Sequence, residues 1–166
     1  MAVLAAVDGW SEFFLAQAGA AAVLAGLVFV GVSINLEKIL ALASLPSRAL
    51  GAITLLVAVL VQSSLVLVPD QSTTALGLEM LGVGLVVLLA VSAIQRDVYL
   101  KQEPQYRGRF KITIALGQSA VLAFVVAGAV VVAAGADGMY WTVPGVLITY
   151  LVSIAEAWVL LVEIQR

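Results

Sequence analysis

Long apolar runs separated by short polar segments dominate this chain. A helix that crosses a membrane needs about 20 mainly apolar residues. We therefore expect transmembrane helices at about residues 13–36, 49–68, 75–94, 112–134 and 143–162. Pro69 and Asp70 mark the end of the second run, because proline cannot continue a helix. The pattern predicts an all-α fold, a polytopic membrane protein with about five helices in a compact bundle that forms a single domain over residues 1–166.

The charged residues indicate how such a bundle is oriented. The basic ones fall in alternate connectors: Lys38 and Arg48 in the first, Arg96, Lys101, Arg107, Arg109 and Lys111 in residues 95–111, and Arg166 after the last helix. The N-terminal segment and the other two connectors carry acidic residues instead: Asp8, Glu12, Asp70 and Asp137. Basic connectors stay in the cytoplasm. The sequence therefore predicts an outer N-terminus and a cytoplasmic C-terminus, with no lysine or arginine inside any span.

The overall composition excludes several classes of protein. Hydrophobic residues make up 63% of the chain and charged residues 11%, whereas soluble domains have about 45–50% and about 25%. The chain has no cysteine and no histidine, which excludes disulfides, Cys/His zinc sites and histidine-ligated haem. Sequence motifs of nucleotide-binding loops and of serine hydrolases are absent too. We expect an integral membrane protein that is not an enzyme and has no cofactor and no metal site.

The basic connector at residues 95–111 has two interpretations. Its positive side chains can attract anionic lipid headgroups, at about 1 kcal/mol per residue near the surface. They can also form a docking loop for a cytoplasmic partner, since Tyr106 and Phe110 lie among them. We expect lipid headgroups as the partner of Arg96, Lys101, Arg107, Arg109 and Lys111, and we expect no nucleic acid.

One face of the last predicted helix collects nearly all of its polar and small residues. We call this face the last-helix stripe; its members are Thr142, Gly145, Thr149, Ser153, Glu156, Leu160 and Glu163. They are three or four positions apart, which places them on one side of a helix. The stripe should therefore avoid lipid. We take Glu156, Ser153, Thr149, Glu163 and Thr142 as candidate pore residues or as a proton or ion site.

Ionisable residues inside a membrane usually face the bundle interior or water. With no basic residue predicted in a span, Glu156 and Glu79 should be neutral and hydrogen-bonded, hydrated, or bound to a cation. Other polar residues lie at two depths. Gln17, Gln62 and Glu79 are expected in an outer cluster, and Asn35 and Gln118 in an inner one. Depth follows from the sequence, but adjacency between the helices does not.

Two segments resemble a family of small bacterial membrane proteins that is common in actinobacteria. They are "EFFLAQAGAAAVLAGLVFVGVSINLEKIL" and "LPSRALGAITLLVAVLVQSSLVLVP", which together cover about the first seventy residues. Some members carry a label as modulators of a membrane-bound AAA protease. The resemblance implies a location in the bacterial inner membrane and adds no catalytic residue.

Three functions are compatible with these features. The first is a homo-oligomeric, cation-permeable channel lined by the last-helix stripe, because carboxylate rings favour cations. Small residues at Ala18, Ala22 and Gly26 would permit close packing of helices in such an assembly. The second is a regulatory or scaffolding protein that binds another membrane protein. The third is a proton-coupled transporter of a small molecule. A Glu156 sealed inside one protomer would count against the channel.

Overall fold

The computed structural model describes residues 9–102, 105 and 107–161, with only the backbone at 107 and 109. Helices alone make up its secondary structure. They are α1 (Ser11–Ile34), α2 (Leu36–Ala41), α3 (Leu45–Val66), α4 (Thr73–Lys101), α5 (Arg107–Ala134), a 3-10 helix (Gly135–Trp141) and α6 (Thr142–Leu161). Within the described residues, four helical stretches are long and apolar enough to cross a membrane: Ser11–Ile34, Leu45–Val66, Thr73–Lys101 and the run Phe110–Leu161.

The long helices form one bundle in which consecutive neighbours run in opposite directions. Ser47 of α3 bonds Asp97 near the end of α4, whereas Gln62 bonds the carbonyl of Met80 near its beginning. Gly145 at the start of α6 lies against Phe124 of α5. Large apolar side chains such as Phe29, Leu89 and Leu151 remain exposed on the outside. An apolar exterior around an apolar core is typical of a membrane-embedded protein.

Aromatic residues gather at one end of the bundle, which we call the Trp10 end. The ring of Trp10 meets Tyr140 edge to face at a centroid distance of 4.8 Å and contacts Phe13 and Phe14. The opposite end, which we call the Arg48 end, holds a cluster of buried apolar residues that includes Ile39, Leu45 and Leu160. Buried apolar residues therefore pack at both ends of the bundle.

Helix boundaries differ from the predicted spans mainly at the Arg48 end. The predicted connector 95–111 is too long, because α4 continues to Lys101 and α5 already begins at Arg107. Polar residues such as Gln, Arg and Lys are good helix formers, so a helix can continue where the apolar run stops. α1 ends at Ile34, where Asn35 leaves helical geometry before the short α2. Glu163 and Arg166 lie outside the described residues.

Arg48 is the most important correction. The sequence indicated a connector position, but α3 begins at Leu45 and has Pro46 in its first turn. Proline is favoured in the first turn of a helix, where the missing N–H has no partner to lose. Arg48 is therefore a helical residue, and its side chain is only 15% exposed. A basic residue thus lies within one of the described helices that are long and apolar enough to cross a membrane, where the sequence had predicted none.

Candidate functional site

The last-helix stripe is buried inside the chain. Its described members are Thr142, Gly145, Thr149, Ser153, Glu156 and Leu160, and all of them are buried. α6 packs against both α5 and α3, so helices of the same chain cover this face. For these described members the prediction that the stripe avoids lipid is confirmed, and the surface that they meet is protein.

Glu156 forms an ion pair with Arg48. The Nε–H of Arg48 donates to Oε2 of Glu156 at 2.7 Å, and the carboxylate side chain is 7% exposed. The guanidinium carbon also lies 5.8 Å from the centroid of the Phe110 ring, within the range of a cation–π contact. Of the three states expected for Glu156, the structure gives a cation-bound one, and the cation is a side chain of the same protein.

One helical turn away, Ser153 makes a second link between α6 and α3. Its hydroxyl donates to the backbone carbonyl of Ala52 at 3.3 Å and is 1% exposed. One turn further along α6, the hydroxyl of Thr149 is buried without a hydrogen-bond partner among the described residues. The contact line between α3 and α6, which we call the α3–α6 seam, thus carries an ion pair and buried hydroxyls.

A pocket opens beside the ion pair, between α3, α4, α5 and α6. We call it the Arg48 pocket; it encloses about 350 Å³ of space that includes its open side. Its polar and aromatic lining consists of Ser47, Arg48, Gln95, Phe110, Thr113 and Glu156, and the remaining wall is mostly aliphatic. A mostly apolar cleft with a few convergent polar groups is the usual form of a small-molecule site.

Hydrogen bonds hold the lining of this pocket in place. Ser47 donates to Asp97 at 2.5 Å, and Lys101 donates to the same carboxylate oxygen at 2.7 Å. Across α4 and α5, the amide nitrogen of Gln118 donates to the side-chain oxygen of Gln95 at 2.7 Å. α3, α4 and α5 are therefore tied together by side chains at the same end of the bundle where Arg48 meets Glu156.

The other candidate residues occupy separate places. Gln62 is buried, and its side-chain amide donates to the backbone carbonyl of Met80. The side-chain amide of Asn35 donates to the backbone carbonyl of Gly31, one helical turn earlier. Glu79 is exposed and accepts from Gln71, and the carbonyl of Gln17 accepts from Tyr150 at 3.1 Å. The described contacts of Gln17, Gln62 and Glu79 thus tie each of them to a different partner.

The described basic residues expected at the lipid headgroups are exposed. Lys101 binds Asp97, and Arg96 and Lys111 are exposed as well.

Sequence reasoning missed four polar residues of this pocket, namely Ser47, Arg48, Gln95 and Thr113, and also Asp97, which accepts a hydrogen bond from Ser47. A signal for Arg48 was present, because Pro46 predicts a helix start two residues before it. Gln95 and Asp97 lie beyond the apolar part of the third run, where hydropathy carries no information about continued helix. The sequence around Gln95 and Asp97 does not indicate their hydrogen-bond partners, because those depend on which helices are adjacent.

No family model matches the sequence, and no curated protein or solved structure shows a significant match. The function proposed below therefore depends on the residues of the Arg48 pocket.

Proposed function

We propose that this protein binds a small organic anion at Arg48 and couples that binding to protonation of Glu156, as a proton-coupled membrane transporter. The observation that carries the proposal is the buried Arg48–Glu156 ion pair in the wall of the Arg48 pocket. Ionisable residues inside membrane proteins mark ion and substrate pathways or proton relays. A guanidinium is also the side chain best suited to bind a carboxylate or a phosphate.

Charge balance links the anion to a proton. The pair of Arg48 and Glu156 is electrically neutral as a unit. An anion that takes Arg48 away from Glu156 would leave one uncompensated negative charge in a largely apolar pocket, at a cost of several kcal/mol. Protonation of Glu156 removes that charge. The anion and the proton are therefore expected to bind together and to leave together.

Arg48 retains donors for an incoming anion while the pair is intact. Only its Nε–H takes part in the bond to Glu156, and a guanidinium has five N–H donors. A carboxylate or phosphate oxygen can thus approach the terminal nitrogens before the original pair separates. The Phe110 ring also contacts the guanidinium, whose central carbon lies 5.8 Å from the ring centroid. Arg48 binds and orients the anion, and Glu156 holds the proton.

The charge distribution supports a cytoplasmic location for this site. Lys38, Arg48 and Lys101 lie at the Arg48 end, and basic segments stay in the cytoplasm. In this arrangement five helices cross the membrane, the N-terminus is outside, and the aromatic residues of the Trp10 end occupy the outer interface, where tryptophan and tyrosine are enriched. The resemblance described above supports a bacterial inner membrane.

The burial of the last-helix stripe favours this function over an oligomeric channel. A pore formed between copies of the chain must be lined by residues on the outer surface of each copy. Thr149, Ser153 and Glu156 are instead covered by helices of their own chain. A channel would have to use another face, and the outer faces of the bundle are largely apolar.

Replacement of Glu156 by glutamine tests the coupling. Glutamine is neutral at every pH and has the size of protonated glutamate. We expect Glu156→Gln to bind lactate and benzoate, which stay ionised over the titrated range, more tightly than the wild type at pH 8 and with almost no dependence on pH. In the wild type, affinity should rise up to tenfold for each unit of decreasing pH, because one proton accompanies each anion. The measurement is thermal stabilisation of the purified protein by sodium lactate, benzoate and phosphate, titrated from pH 5 to 8.

Arg48→Gln supplies the matched control, since it removes the cation and should abolish stabilisation by all three anions. Two results would contradict the proposal. One is the absence of any anion effect on the wild type across this panel. The other is an effect of equal size in Arg48→Gln and in the wild type.

A second candidate is the regulatory or scaffolding role, and a polar patch on the outer surface favours it. Ser92 and Ser119 are exposed beside Gln118, which donates to Ser92 at 3.1 Å. Polar groups on a lipid-facing surface promote association with another helix. A photoreactive side chain at position 119 is expected to form a discrete cross-linked product in native membranes, unlike one at the apolar position of Val30. A product of twice the chain mass would indicate a homo-oligomer. The same pattern of products from both positions would refute this role.

A further inference from the structure

A glycine lines the Arg48 pocket at a position where helix packing does not require one. Gly51 lies inside α3, one turn from Arg48. Among the described residues, a Cβ at position 51 would meet only Cγ2 of Ile94, at 3.4 Å, which is an ordinary van der Waals contact. At Gly84 and Gly128 a Cβ would instead meet backbone atoms of the neighbouring helix at 3.3 Å or less. Since glycine weakens a helix interior relative to alanine, the consequence of Gly51 is the space that it leaves in the pocket.

The pocket has a charged end and an apolar end. Arg48, Gly51 and Leu55 all line it and follow one another on one face of α3. The seven residues from Arg48 to Leu55 correspond to about 10 Å along the helix. Leu55 packs with Val91 and Val152 in one buried apolar cluster, and these three side chains form the apolar end of the lining. Gly51 lies midway, so a ligand that extends from the guanidinium towards Leu55 passes over it.

The charges in the lining favour an anion with a single negative charge. Arg48 is the cationic residue of the lining, and its partner there is Glu156. Once Glu156 has taken up a proton, one positive charge remains. A monoanion balances that charge, whereas a dianion would leave an uncompensated negative charge in a largely apolar pocket. The aliphatic wall beyond Arg48 offers burial to an apolar tail.

We propose that the site takes a short aliphatic monocarboxylate and that Gly51 determines this specificity. The carboxylate binds Arg48, and the tail lies over Gly51 with Ile94 of α4 beside it. This inference rests on the proposed function and names the substrate class of the same site. Gly51 acts by having no side chain, and the packed residues at the apolar end limit the length of the tail.

A series of acids that differ only in the tail tests this assignment. Acetate, propionate and butyrate are all ionised at pH 7, and thermal stabilisation of the purified protein gives the affinity for each. We expect the affinity of the wild type to rise about fourfold for each added methylene, which is the effect of burying one CH₂ group. Arg48→Gln should abolish stabilisation by all three acids.

Gly51→Ala tests the role of the glycine. The added methyl group takes the place of part of the tail, so the ratio of butyrate affinity to acetate affinity should fall at least fourfold. The variant should nevertheless be at least as stable as the wild type, because alanine is the better helix former and its Cβ makes only an ordinary contact. Gly82→Ala is the matched control. It adds the same methyl group to α4 at a position with nothing within 4 Å and outside the lining, and it should leave the ratio unchanged.

Two results would overturn the assignment while anion binding itself stands. One is a wild type that binds acetate and butyrate with equal affinity. The other is the same butyrate-to-acetate ratio in Gly51→Ala and in Gly82→Ala. A wild type that binds none of the three acids would instead refute the function on which this inference rests.

Discussion

Glu156→Ala is expected to destabilise the protein by roughly 2–4 kcal/mol, because it leaves the Arg48 guanidinium unpaired in the bundle. The full range for breaking a buried pair is about 3–5 kcal/mol, and the 15% exposure of the Arg48 side chain reduces it. The free energy of unfolding is measured by titration with SDS in mixed micelles. Replacing both partners, as Arg48→Met with Glu156→Leu, should recover most of the loss, since no charge then remains buried.

The pair of Lys101 and Asp97 provides the matched control. Its donor and acceptor are also 2.7 Å apart, but both side chains are more than 40% exposed. Water screens exposed pairs strongly, so Lys101→Ala should change the free energy of unfolding little. If Glu156→Ala were as mild as Lys101→Ala, or if the double replacement were as unstable as Glu156→Ala, the account of a buried ion pair would be wrong.

Gly128→Ala is expected to destabilise the contact between α4 and α5 by about 1–3 kcal/mol, as overpacking does in other helical interfaces. A Cβ on residue 128 would lie 2.7 Å from the Cα of Leu81 and closer still to the backbone nitrogen of the same residue. Backbone cannot rotate away as a side chain can, so the two helices must move apart. The same SDS titration measures the loss.

Gly26→Ala is the control for this substitution, because nothing lies within 4 Å of a Cβ at residue 26. Alanine is a better helix former than glycine by up to about 1 kcal/mol. The two glycine replacements should therefore have opposite signs, with Gly26→Ala neutral or stabilising. Destabilisation of similar size at both positions would show that the close approach of α4 and α5 does not exist.

Hydropathy and periodicity predict most of this architecture. The apolar runs gave the long helices, since length and composition decide whether a segment can cross a membrane. Helical spacing gave the buried face of α6, because Thr149, Ser153 and Glu156 recur every three or four residues. Such signals are local, and each can be read within a single helix.

Contacts between helices could not be predicted in the same way. The partner of Glu156 is 108 positions away in the chain, and nothing in either segment indicates that α3 and α6 are neighbours. Arg48 was assigned to a connector because charge normally marks the end of a span. Its side chain instead points into the bundle, where Glu156 offsets its charge.

The most direct test of the proton-coupled site is a count of protons. The purified protein is mixed with lactate in weak buffer at pH 7, and a pH-indicator dye measures the protons taken up for each anion bound. The account predicts an uptake that approaches one proton per anion in the wild type and none in Glu156→Gln, which binds the anion without a titrating carboxylate. Anion binding to the wild type with no uptake of protons would contradict it.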